Sequence, residues 1–178
     1  MGSTKLRASR HAALVLVLTL GLSTVASGVE PGLEMGLGFT SGPSTALVTT
    51  AIPIALTPQI AVGPLLQLGF GEDDRVVMIP TLDARFTLPL GNLLGDAELW
   101  DPLQVLLHGG VGFAYLEEER IGDDDDIGFL FNFGGGIQYE ASDRVSLGTR
   151  MTFNVMPSSV LDEDFVFSWQ LLTLRVRF

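Results

Sequence analysis

One pattern recurs through this chain and rules out most folds. Stretches of about ten residues alternate a large apolar side chain with glycine or a small polar residue, the period-2 mark of a β-strand with two unlike faces. LEMGLGFT sets Leu33, Met35, Leu37 and Phe39 against Glu34, Gly36, Gly38 and Thr40. MIPTLDARFTL sets Met78, Leu82, Ala84, Phe86 and Leu88 against Thr81, Asp83, Arg85 and Thr87. QVLLHGGVGFAY sets Val105, Leu107, Val111, Phe113 and Tyr115 against His108, Gly110, Gly112 and Ala114. IGFLFNFGGGIQYE and RVSLGTRMTFNV continue the pattern, with Asn132, Gln138, Glu140 and Arg150 among their polar positions. Adding ALVTTAIPIALT, IAVGPLLQLGF and SWQLLTLRVRF makes eight strand candidates, each near the length that a tilted strand needs to cross a bilayer.

Alternation alone does not separate a soluble barrel from a membrane one, but polarity does. Here one face carries Phe, Leu, Ile and Met, and the other carries Gly, Ser, Thr, Asn, Gln and a few charges. Glycines and scattered charges make a poor apolar core and a good narrow polar lumen. The large groups then face lipid. The expected fold is all-β: an eight-stranded antiparallel up-and-down transmembrane β-barrel.

The connections alternate too. The odd ones are 41–44, GEDDR at 71–75, LEEERIGDDDD at 116–126 and PSSVLDED at 157–164. Three of these four hold 13 of the 21 acidic residues. The even ones are TPQ at 57–59, Pro89–Pro102 and ASD at 141–143. Short turns at one end and longer charged loops at the other is the outer-membrane pattern. Pro89–Pro102 is the long turn, with room for a short helix.

One stretch resists. Met35 to Gly71 carries no charge and is long enough for a membrane helix, but Pro43, Pro53, Pro58 and Pro64 would break one. In a closed barrel Pro53 and Pro64 are also awkward, because no edge hides a missing donor. A hairpin turning at Pro58 brings Pro53 opposite Gly63, and a shared bulge is expected there.

The first 28 residues are of another kind. Lys5, Arg7 and Arg10 precede the apolar run HAALVLVLTLGL and the small residues STVASG, the order of a secretory signal peptide. The expected organisation is a signal peptide over 1–28 and a barrel over 29–178. Removing the signal leaves seven arginines against 21 acids, a formal charge of −14, so nucleic acid is not an expected partner. The absence of cysteine excludes disulfides, thiolate metal sites and a cysteine nucleophile.

The strands VGFAYL and FGGGIQYE, the arginine strand ARFTLPLGN and the aromatic C-terminus resemble the small eight-stranded outer-membrane β-barrels, the OmpA-like and OmpX-like group. The resemblance spans about residues 29–178 and is one of pattern rather than signature. It implies insertion by the barrel-assembly machinery, with Leu174, Val176 and Phe178 matching the alternating positions of the assembly signal. No peptidoglycan-binding domain follows the barrel, so tethering to the cell wall is not expected.

An eight-stranded barrel is just wide enough for side chains to fill. Glu34, Asp83, Arg85, Glu140, Arg150 and Arg175 fall on the inner face, with Arg144 and Arg177 near the rim. Charges of both signs there should pair into a network that plugs the barrel. Arg175 or Arg150 is the expected partner of Glu34. His108 is the single histidine after the signal, with Ser146 and Glu140 inward on nearby strands, but no motif joins them into a catalytic site. EEERIGDDDD gathers seven carboxylates without the spacing of a calcium loop and reads as a solvated surface. Aromatic girdles are expected at Phe39, Phe70, Phe113, Tyr115, Phe129 and Phe131 toward the loops, and at Tyr139, Trp100 and Phe178 toward the turns.

The functional expectation is a non-enzymatic outer-membrane protein with a structural or surface-interaction role, monomeric, without cofactor or metal, set among outer-membrane lipid and lipopolysaccharide. The alternatives are a narrow conduit for small solutes and a lipid-modifying enzyme.

Overall fold

The computed structural model describes residues 30–71, 76–94, 100–117, 126–160 and 163–178. The signal-peptide segment and most of the acidic loop residues lie outside these. Nine strand segments follow in order: β1 (Gly32–Ser41), β2 (Thr45–Ala51), β3 (Ile54–Ala55), β4 (Ile60–Phe70), β5 (Val76–Pro89), β6 (Leu103–Glu117), β7 (Asp126–Glu140), β8 (Val145–Val160) and β9 (Glu163–Arg177). All pairings are antiparallel and join neighbours in sequence except that β2 and β3 both pair with β4 rather than with each other, and β1 pairs with β9. The sheet therefore closes into an eight-staved barrel in which β2 and β3 share one stave. A short helix, α1 (Leu90–Leu94), occupies the long turn, whose length left room for one.

The prolines interrupt the second stave without shifting it. Ala51 pairs with Leu65 and Ile54 with Val62, so no residue is gained or lost between them. The expected bulge is absent, and the ladder has a gap instead. The Pro53 carbonyl accepts from the Gly32 N–H at 2.8 Å, and the Pro64 carbonyl accepts from the Ile52 N–H at 3.0 Å. Each proline keeps the accepting half of its ladder pair and forgoes only the donating half. Gly63 permits the close approach, since a Cβ there would lie 2.0 Å from the Ile52 carbonyl oxygen.

A bulge does occur in β9. Leu37 pairs with Leu172, yet Gly38 pairs with Gln170, and on the other side Gly148 pairs with Thr173 while Arg150 pairs with Gln170. Leu171 is the extra residue, and both Leu171 and Leu172 face outward. The bulge reverses the inward parity. Val166, Ser168 and Gln170 point in before it, and Thr173 points in after it, with Arg175 and Arg177 on the same alternate positions.

Strands β5 to β9 run 14 to 16 residues, longer than the ten expected. Val160 pairs with Glu163, so the expected loop at 157–164 is mostly hairpin. The β8–β9 register shifts between Val155 and Val160 before pairing resumes at Val160–Glu163.

Outward positions carry exposed Met35, Leu37, Leu82, Phe86, Val111, Phe133, Ile137 and Leu174. Aromatic contacts tie this surface together: Phe113 meets Phe129, Phe129 meets Phe131, and Phe153 lies 5.4 Å from Phe133 and 5.3 Å from Phe167. No helix among the described residues is long and apolar enough to cross a membrane. The strands carry the apolar surface.

Candidate functional site in the barrel interior

The inward side chains form three zones along the barrel. At the loop end Val77, Ile79, Ala114, Leu130, Met156 and Val166 make a buried apolar cluster from five staves. The polar-lumen expectation did not include it. Its trace in the sequence is the loss of alternation in VVMI and FLF, where both faces are apolar. Below it, Gln67 donates to the Asn154 side-chain oxygen at 3.0 Å, and Asn154 donates to the Val166 carbonyl and the Ser168 hydroxyl. Gln67 and Asn154 stand on directly opposite staves, so this bond crosses the lumen.

The middle zone holds the charges. Arg85, three staves from Glu34, donates to one of its carboxylate oxygens at 2.5 Å, and Arg150 donates to the other. All three are buried, at 3% exposure for Glu34, 5% for Arg85 and 1% for Arg150. One acid thus holds two guanidiniums. Arg175, the other named partner of Glu34, forms no ion pair or hydrogen bond among the described residues, although it sits directly across β1 from Glu34.

Asp83 and Arg85 share a face of β5, yet they take different partners. Asp83 accepts from Thr81 at 2.6 Å and from Asn132 at 2.8 Å. Its second oxygen lies 3.1 Å from His108 Nδ1. With Nδ1 donating to Asp83, Nε2 faces both the Thr152 hydroxyl and the Met151 carbonyl oxygen, each 3.3 Å away, and in the neutral ring it accepts from Thr152. The acid beside His108 is therefore Asp83, not Glu140, and the hydroxyl is that of Thr152, not Ser146. Those partners lie on β5 and β8, and only the closed barrel brings them to one histidine. Asp83, His108 and Thr152 are all buried in the lumen, at 1%, 7% and 0% exposure.

At the turn end Glu140 accepts from Arg177, both part-exposed. A cavity of about 380 Å³ opens here, lined among others by Thr87, Gln104, Glu140, Arg175 and Arg177. Phe178 and Leu174 lie exposed on the outer surface, and Val176 is half-buried. Among the described residues no three metal-ligating side chains converge.

A closed eight-staved barrel with an apolar exterior and a charged, hydrogen-bonded interior has a definite counterpart among solved structures. The N-terminal β-barrel domain of Pseudomonas aeruginosa OprF superposes with a TM-score of 0.63 at 11% identity, over 84% of this chain and 97% of that one. Neisserial surface protein A superposes at 0.62 and 12% identity, over 85% and 98%. Yersinia pestis Ail, solved with the heparin analogue sucrose octasulfate, superposes at 0.51 and 12% identity, over 85% and 100%. The fold is that of the small outer-membrane β-barrels. By fold, the chain is a β-barrel of the small outer-membrane type. No protein-family model matches the sequence, and no curated protein matches it. At these identities the likeness lies in the architecture, and the interior of this outer-membrane barrel has to be read from its own residues.

Proposed function

We propose that this outer-membrane barrel is a non-enzymatic structural or surface-interaction protein. The carrying observation is the filled lumen. The Gln67–Asn154 bond crosses it, the Glu34–Arg85–Arg150 triad fills its middle, and apolar side chains pack its loop end. A solute would have to displace all three zones, which disfavours the conduit reading. The Asp83–His108–Thr152 array has the residue types of a hydrolase triad, but it faces the lumen and is buried from both membrane surfaces. It serves better as a satisfied polar network.

The proposed partner surface is the barrel end at which β4 leads to β5 and β6 leads to β7, connections whose sequence includes the acidic stretches at 71–75 and 116–126. Ail was solved with a polysulfated ligand. Carboxylate-rich loops would repel such a ligand, so the partner class here is cationic, or an anionic lipopolysaccharide surface bridged by divalent cations. The protein works as a monomer and is inserted by the barrel-assembly machinery through Leu174, Val176 and Phe178, after removal of the signal at 1–28. Planar-bilayer recording of the purified barrel should show no channel events, and lipid A from cells with and without the protein should be identical. Regular unitary conductance would replace this reading with the conduit, and an altered acylation pattern would replace it with the enzyme.

A further inference from the structure

The turn-end cavity is lined by two acids, Glu30 and Glu140, and two arginines, Arg175 and Arg177, yet it leaves guanidinium donors over that neither the fold nor the proposed surface role requires. The described interior holds the carboxylates Glu34, Asp83 and Glu140 and the guanidiniums Arg85, Arg150, Arg175 and Arg177. Glu34 is shared by Arg85 and Arg150, Asp83 is engaged by His108, Thr81 and Asn132, and Glu140 is engaged by Arg177. Arg175 shares the field of Glu34 across the strand pair but takes no hydrogen bond or ion pair among the described residues, and it lines the cavity.

The unpartnered polar atoms around it agree in kind. Arg175 Nε, Arg177 Nε, Gln138 Nε2 and Ser146 Oγ are buried and find no partner among the described residues. Register places them together. Ser146 is cross-strand to both Glu140 and Arg175, and Gln138 is cross-strand to Gln104, which lines the cavity. Every one of these four atoms can donate, and three can only donate. Buried donor atoms without acceptors cost about 1–3 kcal/mol each. A ligand that only accepts and carries negative charge answers them. Glu30 also lines the cavity, but it is exposed at the mouth, where water screens it. The volume of about 380 Å³ exceeds the roughly 30 Å³ share of one liquid water by an order of magnitude, room for a hydrated oxyanion.

We propose that the turn-end cavity binds a phosphate-type oxyanion on Arg175, with Arg177, which also lines it, as the second donor. The oxyanion is free or belongs to a lipid headgroup. The test is NMR of the arginine Nε–Hε resonances in the full barrel, in zwitterionic micelles at constant ionic strength. Inorganic phosphate is titrated against sodium chloride in one series, and phosphatidylglycerol is added in a second. A saturable shift of the Arg175 resonance with phosphate identifies the free ion, and one with phosphatidylglycerol alone identifies the headgroup. Either supports the site. Arg175→Gln should abolish the saturable response of the neighbouring Arg177 resonance, while exposed Arg144→Gln should leave it intact. Arg175→Lys keeps the charge in case Gln prevents folding, and should weaken binding about tenfold by losing the two-pronged contact. No saturation in either series, an equal response to chloride, or an Arg177 response unchanged in Arg175→Gln overturns the proposal.

Discussion

Replacing Glu34 with glutamine should destabilise the barrel more than any other single change in the charged zone. Glu34 accepts from Arg85 and Arg150 at once, all three are nearly inaccessible to water, and Arg175 lies beside them without a partner. Glutamine keeps the shape and removes the charge, leaving three guanidiniums facing one another. Removing one partner of a buried ion pair costs about 3–5 kcal/mol, which is roughly a 150- to 5000-fold loss in folding constant. The opposite truncation should cost much less. In Arg150→Met the acid keeps Arg85, and two nitrogens of Arg150 that find no partner among the described residues are no longer buried. That change should stay within about 2 kcal/mol. The double variant Glu34→Gln/Arg150→Met removes one of the uncompensated cations, so it should be more stable than Glu34→Gln alone, a non-additivity readable as a double-mutant cycle. The assay is equilibrium urea unfolding from lipid vesicles, followed by the fluorescence of Trp169, which sits on the barrel wall with its indole N–H on Thr149. A Glu34→Gln cost below about 1 kcal/mol, or a double variant no better than the single, would refute the claim that one carboxylate neutralises the centre.

Three further changes probe other parts of the barrel. Phe133→Arg places a charge on an outward position that is 55% exposed, and at mid-bilayer depth it should cost about 2–4 kcal/mol in vesicles. If that position met water, the cost would be near zero, so the same unfolding assay decides. Leu130→Ala opens the apolar cluster at the loop end and should cost about 2–5 kcal/mol, whereas a loose lumen at that level would show almost none. Deleting Leu171 removes the bulge and leaves Val166, Ser168, Gln170 and Thr173 in strict alternation at one continuous register, so refolding measured by circular dichroism should survive; deleting Leu171 and Leu172 together should swing one half of β9 to the wrong face and abolish it.

The period of the side chains was enough to read the architecture, because a strand with two unlike faces reports its orientation at every residue. His108, Arg150 and Asn132 were placed inward by parity alone. Partner identity is a different kind of information. Glu34 and Arg85 stand three staves apart, and their meeting depends on barrel closure and stagger, which no local pattern encodes. The same holds for Asp83, His108 and Thr152, drawn from three staves. The gap at Pro53 was misread as a bulge for a related reason. A missing donor is visible in the sequence, but the response of the ladder depends on whether the facing residue can come close, and Gly63 can. The Leu171 bulge did leave a trace, since SWQLLTL places two leucines in succession where alternation demands one.

The distribution of charge links these observations. Residues 29–178 carry 21 acids and seven arginines, yet the described interior holds four of those arginines against three carboxylates. The interior is thus more cationic than the chain as a whole, and the acidity is concentrated in the loop stretches. Chance placement would bring the excess of acids inside as well. Arginine suits the interior because its planar fork spans a narrow lumen and can share one carboxylate between two donors, as Arg85 and Arg150 do. The acids suit the loops because a dense run of carboxylates stays hydrated and resists packing. The two ends of the barrel therefore offer different chemistry: carboxylates in the loops, and at the turn end a cavity with donors in excess.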